Sequence, residues 1–130
     1  MNLVDSCGWL EYLTDQENAV FFAPPLEDIE NLLVPSICVF EVLKKVLQEK
    51  NEDFALQVIA LMQQGFIAEL DAELAIQSAK VSFELKLPLA DSIIIATAKL
   101  YNAVIWTQDK HFYGLDNVRY VTKHITNYEK

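Results

Sequence analysis

Four carboxylates stand where this chain could do chemistry: Asp5, Glu41, Asp91 and Asp109. Each follows a predicted strand or falls in the early turns of a predicted helix. Asp91 is the clearest case. It lies within Leu87 to Lys99, which reads as a helix starting just after Pro88, with one acid in its first turn before a dense apolar run. Taken singly, each acid has a structural explanation. Asp5 and Asp109 suit turns or helix N-caps, Asp91 suits the positive end of a helix dipole, and Glu41 has Lys45 four residues on for an ordinary surface pair. Taken together they are costly, because two like charges about 4 Å apart repel by about 4 kcal/mol at an effective dielectric near 20. Convergence would therefore call for a neutralising partner. A hard divalent cation, Mg²⁺ or Mn²⁺, suits such oxygen ligands, and no Cys-rich or His-rich set favours zinc. His111 and His124 lack ligand spacing and read as surface or cap residues.

The elements that must position these acids follow from the apolar pattern. Asn2 to Val4 reads as a strand running into Asp5 and Ser6, with Trp9, Leu10 and Leu13 at helical spacing beyond it. A short helix from Gln16 to Phe22 is predicted to end at Pro24-Pro25. Leu32 to Val34 is a second strand, and Pro35-Ser36 the turn and N-cap of a helix reaching about Lys50. On that helix Val39, Phe40, Val42, Leu43, Val46 and Leu47 form one apolar stripe, and Glu41 points away from it. Helices from Phe54 to Gln64 and from Ala72 to about Glu84 flank a third strand, Phe66 to Ala68. Ala103 to Trp106 and Val118 to Val121 complete the strands, with a turn at Thr107 to Asp109 between them. Short apolar strands separated by helices specify a parallel α/β sandwich with helices on both faces. Right-handed crossovers bring the loops leaving each strand to one edge of the sheet, where ligands bind at the reversal of strand order. All four acids are expected at that edge.

Composition sets bounds on the partners. A chain of 130 residues fits one domain with its own core, and a net charge of −9 argues against a generic basic nucleic-acid binder. It leaves room for a nuclease whose carboxylates are neutralised by bound cations. Cys7 and Cys38 read as small core residues in a reducing cytoplasm. Asp5 interrupts any secretion signal, and the charge-free run from Phe54 to Ala68 is too short and polar to span a bilayer.

The set Asp5-Ser6, Val39-Phe40-Glu41-Val42, Leu89-Ala90-Asp91-Ser92 with its apolar continuation, and Thr107-Gln108-Asp109-Lys110-His111-Phe112 resembles a PIN domain. It is most similar to the single-domain VapC ribonuclease toxins of prokaryotic toxin–antitoxin pairs. The resemblance spans essentially residues 1–130 and implies a Rossmann-like three-layer fold around a five-stranded parallel sheet. It implies an endoribonuclease dependent on Mg²⁺ or Mn²⁺, with Asp5, Glu41, Asp91 and Asp109 on the family's acidic positions. Asp5 and Asp91 would be the usual metal ligands, with Asp109 and Glu41 positioning a water or a second cation. Ser6 and Thr107 would supply hydroxyls behind the acids. Cys7 departs from the pattern by standing where many relatives carry Ser, Thr or Asn, and Asp116 is a minor auxiliary candidate. Lys44, Lys45, Lys86 and Lys110 lie near the acidic blocks and are candidates for holding an RNA backbone.

The resemblance further implies a homodimer and a small antitoxin partner covering the acidic cleft. Trp9, Tyr12, Leu13, Phe21 and Phe22 form the candidate docking groove, unless they belong to the core. Two rival functions remain at this level. One is a non-catalytic PIN-like protein-binding module, against which the intact acids argue. The other is a phospho-receiver domain, which would want adjacent acids after the first strand and an acceptor Asp after the third; neither Asp5-Ser6 nor Phe66 to Leu70 supplies them clearly.

Overall fold

The computed structural model describes residues 1–123. Five parallel strands form one sheet in the order β3-β2-β1-β4-β5. They are β1 (Asn2–Val4), β2 (Leu32–Pro35), β3 (Phe66–Ala68), β4 (Val104–Thr107) and β5 (Val118–Tyr120). Strand order reverses beside β1, which pairs with β2 on one side and β4 on the other. Leu3 and Val4 of this central strand, and all of β2, are buried, as expected for strands covered on both faces. The expected α/β architecture with a five-stranded parallel sheet is therefore observed.

Helices α1 (Ser6–Leu13) and α2 (Ala19–Glu27) link β1 to β2, while α3 (Ser36–Glu49) and α4 (Glu52–Met62) link β2 to β3. Helices α5 (Ala72–Leu85) and α6 (Leu89–Tyr101) return the chain to β4 and pack extensively on each other. Local signals set several boundaries. Asn51 caps α4 by accepting from Phe54 N at 2.8 Å, and Asp71 caps α5 by accepting from Leu74 N at 2.8 Å. Helix α6 begins directly after Pro88, with Asp91 in its first turn. At Gly8, α1 lies so close to the sheet that an added Cβ would come within 2.6 Å of Phe22 and Val4. That close approach seats the start of α1 against the core.

Three local expectations are corrected. Helix α2 does not stop before Pro24-Pro25 but runs through both to Glu27. Two prolines forfeit two backbone donors there, yet burial of Phe22, Pro25 and Leu26 holds the turn helical against their propensity. The α3 stripe is narrower than its sequence suggests: Cys38, Val42 and Val46 are buried, while Phe40 and Leu47 are 61% and 53% exposed. Ser36 is the first helical residue rather than the cap; Pro35 holds the cap position without a side-chain bond. The Ser36 hydroxyl instead accepts from Leu70 N at 3.3 Å, tying the start of α3 to the segment after β3. Among the described residues no helix is long and apolar enough to cross a membrane.

Candidate active site

The edge formed by the carboxyl ends of β1 and β4 carries the acids. Asp5 leaves β1 with its backbone N–H still in the ladder, donating to the Trp106 carbonyl at 3.0 Å. Its carboxylate then caps α1 by accepting from Ser6 N at 2.8 Å. The other oxygen, Oδ2, accepts from Thr107 Oγ1 at 2.9 Å and from the Cys7 thiol at 3.4 Å. Thr107 closes β4, and its hydroxyl also accepts from Asp109 N at 2.9 Å, so one buried side chain joins the first and fourth acids. Ser6 Oγ donates to Glu41 Oε1 at 2.8 Å, bringing the acid of α3 to the same place. Lys45, the alternative partner of Glu41, pairs instead with Glu49 at 2.9 Å.

Across the rim, Asp91 Oδ2 lies 2.6 Å from His111 Nδ1, and the same nitrogen lies 3.5 Å from Asp109 Oδ1. One ligand atom each from Asp91, Asp109 and His111 falls within a set no wider than 4.8 Å. Asp5 and Glu41 lie outside that set and are joined to it through hydrogen bonds. The resemblance implies Asp5 and Asp91 as the usual ligands; the ligand atoms that gather most closely here are those of Asp91, Asp109 and His111, with Asp5 joined through Thr107.

His111, expected as a surface or cap residue, makes a tertiary contact that its spacing does not announce. It is on the surface, with its side chain 54% exposed, but its ring turns inward to two acids. The local signal was its position two residues after Asp109. There Asp109 caps a 3₁₀ turn (Lys110–Phe112) by accepting from His111 N at 2.9 Å, and Phe112 is buried. The tertiary partner, Asp91, is twenty residues away and invisible to spacing. His124 lies outside the described residues.

Burial dominates the electrostatics. It pushes the Asp5 carboxyl up to about 6, against the opposing hydrogen bonds from Thr107, Cys7 and Ser6 and with a smaller push from Asp109. Burial also raises Asp91, partly offset by His111. The hydrogen bond to Asp91, with the charge of Asp109, raises His111. Burial and the charge of Asp5 raise Cys7, so it remains a thiol and acts as a donor. Among the described residues no Lys or Arg comes within 4.0 Å of Asp5, Glu41, Asp91 or Asp109. Hard oxygens, with the carboxyls of Asp5 and Asp91 raised by burial and no Lys or Arg beside them, fit a divalent cation.

The basic candidates divide. Lys44 and Lys45 line a shallow cleft with Glu41, and Lys110 sits exposed on the 3₁₀ turn beside Asp109. Lys86 ends α5 in a left-handed conformation. A larger cleft of about 580 Å³ opens beside Cys7 and includes Lys45, Lys50, Gln108 and Lys123. Lys50 and Lys123 reach this cleft only through the fold, since neither lies beside any of the four candidate acids in the chain. Of the candidate docking residues, Trp9 and Phe22 belong to the core, and Tyr12, Leu13 and Phe21 pack against it while remaining partly exposed.

A family model for the PIN domain matches residues 3–118. The chain belongs to the PIN domain family. Solved structures share the fold of this PIN domain over nearly its whole length. A toxin–antitoxin complex from Klebsiella pneumoniae aligns with a TM-score of 0.78 and 21% identity, covering 92% of this chain and 96% of that one. VapC20 from Mycobacterium tuberculosis, a sarcin-ricin loop cleaving toxin, aligns with a TM-score of 0.71 and 12% identity, covering 92% and 99%. FitAcB from Neisseria gonorrhoeae aligns at 0.69 and 22%, covering 92% and 96%. At these identities the likeness establishes a common fold. Comparison with curated protein sequences gives no significant match.

Proposed function

We propose that this PIN domain is an endoribonuclease dependent on Mg²⁺ or Mn²⁺ and acts as the toxin of a toxin–antitoxin pair. The observation that carries the reading is the meeting of Asp91 and Asp109 at the β1/β4 edge, with Asp5 joined to them through Thr107. In this reading Asp91 and Asp109 hold the cation, with Asp5 the third carboxylate behind them. The bound ion supplies neutralisation of phosphate charge and a water of lowered pKa. Asp109 and Glu41, the latter held by Ser6 Oγ, would position an attacking water in line with the phosphodiester. Thr107 fixes the Asp5 oxygen, so the carboxylate needs no reorganisation when substrate arrives. Lys44, Lys45, Lys50, Lys110 and Lys123 are the candidates for backbone phosphate contact, which the net charge of −9 makes necessary.

The antitoxin belongs to the same proposal. Structures of this fold include toxins solved with their antitoxins, such as the Klebsiella complex. His111 supports it physically, because its imidazole already contacts both Asp91 and Asp109, where a partner's basic residue would compete. A second copy of the chain is the other expected partner. Ile76, Phe83, Leu89 and Leu100 leave 57–83% of their surface exposed on α5 and α6, an apolar area suited to dimerisation. The compartment expected for such a toxin is the cytoplasm.

The test is incubation of the purified chain with structured and single-stranded RNA in Mg²⁺, in Mn²⁺ and in EDTA. Cleavage is expected with either ion, abolished by EDTA, restored by adding the ion back, and absent in Asp91→Asn. Binding of a partner or of RNA without any ion-dependent cleavage would instead favour the protein-binding module.

A further inference from the structure

His111 has no part in the reaction as proposed, yet its ring is among the most closely held groups at the rim. Its position is set by a turn that starts at Asp109 itself: Asp109 Oδ1 accepts from His111 N at 2.9 Å, and Phe112 N donates back to the Asp109 carbonyl at 3.1 Å. Phe112 is fully buried and anchors the turn to the core. The imidazole therefore cannot be treated as a free surface ring that happens to meet an acid.

The spacing of the three donors is informative. In an octahedral site with ligand distances near 2.1 Å, neighbouring donors stand roughly 3 Å apart. His111 Nδ1 stands 2.6 Å from Asp91 Oδ2 and 3.5 Å from Asp109 Oδ1, values that bracket such an edge. An ion shared by the two carboxylates would have this nitrogen within reach of its coordination sphere, with small shifts of an exposed side chain. We propose that His111 is a metal ligand through Nδ1, with the proton that Nδ1 shares with Asp91 released to solvent as the ion enters and the neutral ring protonated on Nε2, which makes the site a mixed nitrogen–oxygen one that discriminates for Mn²⁺ over Mg²⁺. The inference rests on the cation site of the proposed function. The discrimination follows from donor chemistry: Mg²⁺ prefers oxygen and gives up water reluctantly, whereas first-row transition ions accept imidazole readily.

The experiment uses the full chain loaded with Mn²⁺ and read by pulsed electron paramagnetic resonance. Nitrogen-14 modulation from a coordinated imidazole is expected in the wild type and is expected to vanish in His111→Asn, which also excludes His124 as its source. Parallel titrations should show Mn²⁺ affinity weakened by about tenfold or more in His111→Asn, with Mg²⁺ affinity changed by less than about threefold. Mn²⁺ bound without nitrogen coupling, or equal weakening for both ions, would overturn the assignment and leave the carboxylate site intact. Failure of the wild type to bind Mn²⁺ at all would overturn the ligand and the cation site together.

Discussion

The two halves of the acidic rim solve the same electrostatic problem differently. On the β1 side, Asp5 is 4% exposed and is satisfied by neutral donors: the Ser6 amide, the Thr107 hydroxyl and the Cys7 thiol. On the α6 side, Asp91 is satisfied by an imidazole on an exposed turn, with Asp109 close by. The first half is rigid and closed. The second is more open and is closed by an imidazole on an exposed turn. Burial outweighs even three hydrogen bonds at Asp5, whose carboxyl is pushed up to about 6. An entering cation thus meets the half-buried Asp109 first, with the buried carboxylates of Asp91 and Asp5 behind it.

The largest effects should separate these halves by catalysis. Asp109→Asn removes a proposed ligand and should reduce RNA cleavage by on the order of 10³-fold. Glu41→Gln leaves the ligands in place and should cost less, on the order of 10²-fold, in the same assay. Equal losses in the two variants would erase the distinction between holding the ion and orienting the water.

Next comes the stability of the ion-free protein. Because the folded carboxyl of Asp5 is raised above its unfolded value, its contribution is fully present below about pH 4 and is lost as pH rises through about 6. Ionising this buried group at neutral pH then costs about 3 kcal/mol, from about two pKa units at 1.36 kcal/mol each. Asp5→Asn should therefore stabilise the ion-free protein at pH 8, by about 1–3 kcal/mol in urea denaturation once altered hydrogen bonds are included. At pH 4 the difference should shrink towards zero.

A smaller effect tests the join between the halves. Thr107→Val keeps the shape of the side chain but removes the group that bonds both Asp5 Oδ2 and Asp109 N. A loss of about 1–2 kcal/mol is expected. The midpoint of Asp5 titration, followed by carboxyl NMR, should move further above 6, since Thr107 is the strongest influence holding it down.

Most of the architecture could be read from the chain because local and long-range signals agree. Buried strands are apolar runs, Asn51 and Asp71 announce their helices, and Pro88 marks the start of α6. Reading failed where burial overrules local preference. Pro24 and Pro25 stay helical because Phe22, Pro25 and Leu26 are packed, and Phe40 is exposed although its position on the wheel looked internal. The order of the four acids is plain in the chain, whereas the contacts around them are not. Ser6 reaching Glu41 and His111 reaching Asp91 are contacts across 35 and 20 residues that only the folded sheet edge creates.

The account depends most on a cation being held where Asp91 and Asp109 meet. Calorimetric titration of Mn²⁺ into the wild type and into Asp91→Asn at pH 7.5 tests it directly. Saturable binding in the wild type that is lost in a folded Asp91→Asn is the predicted result. Equal binding by both proteins, or none by either, would contradict it.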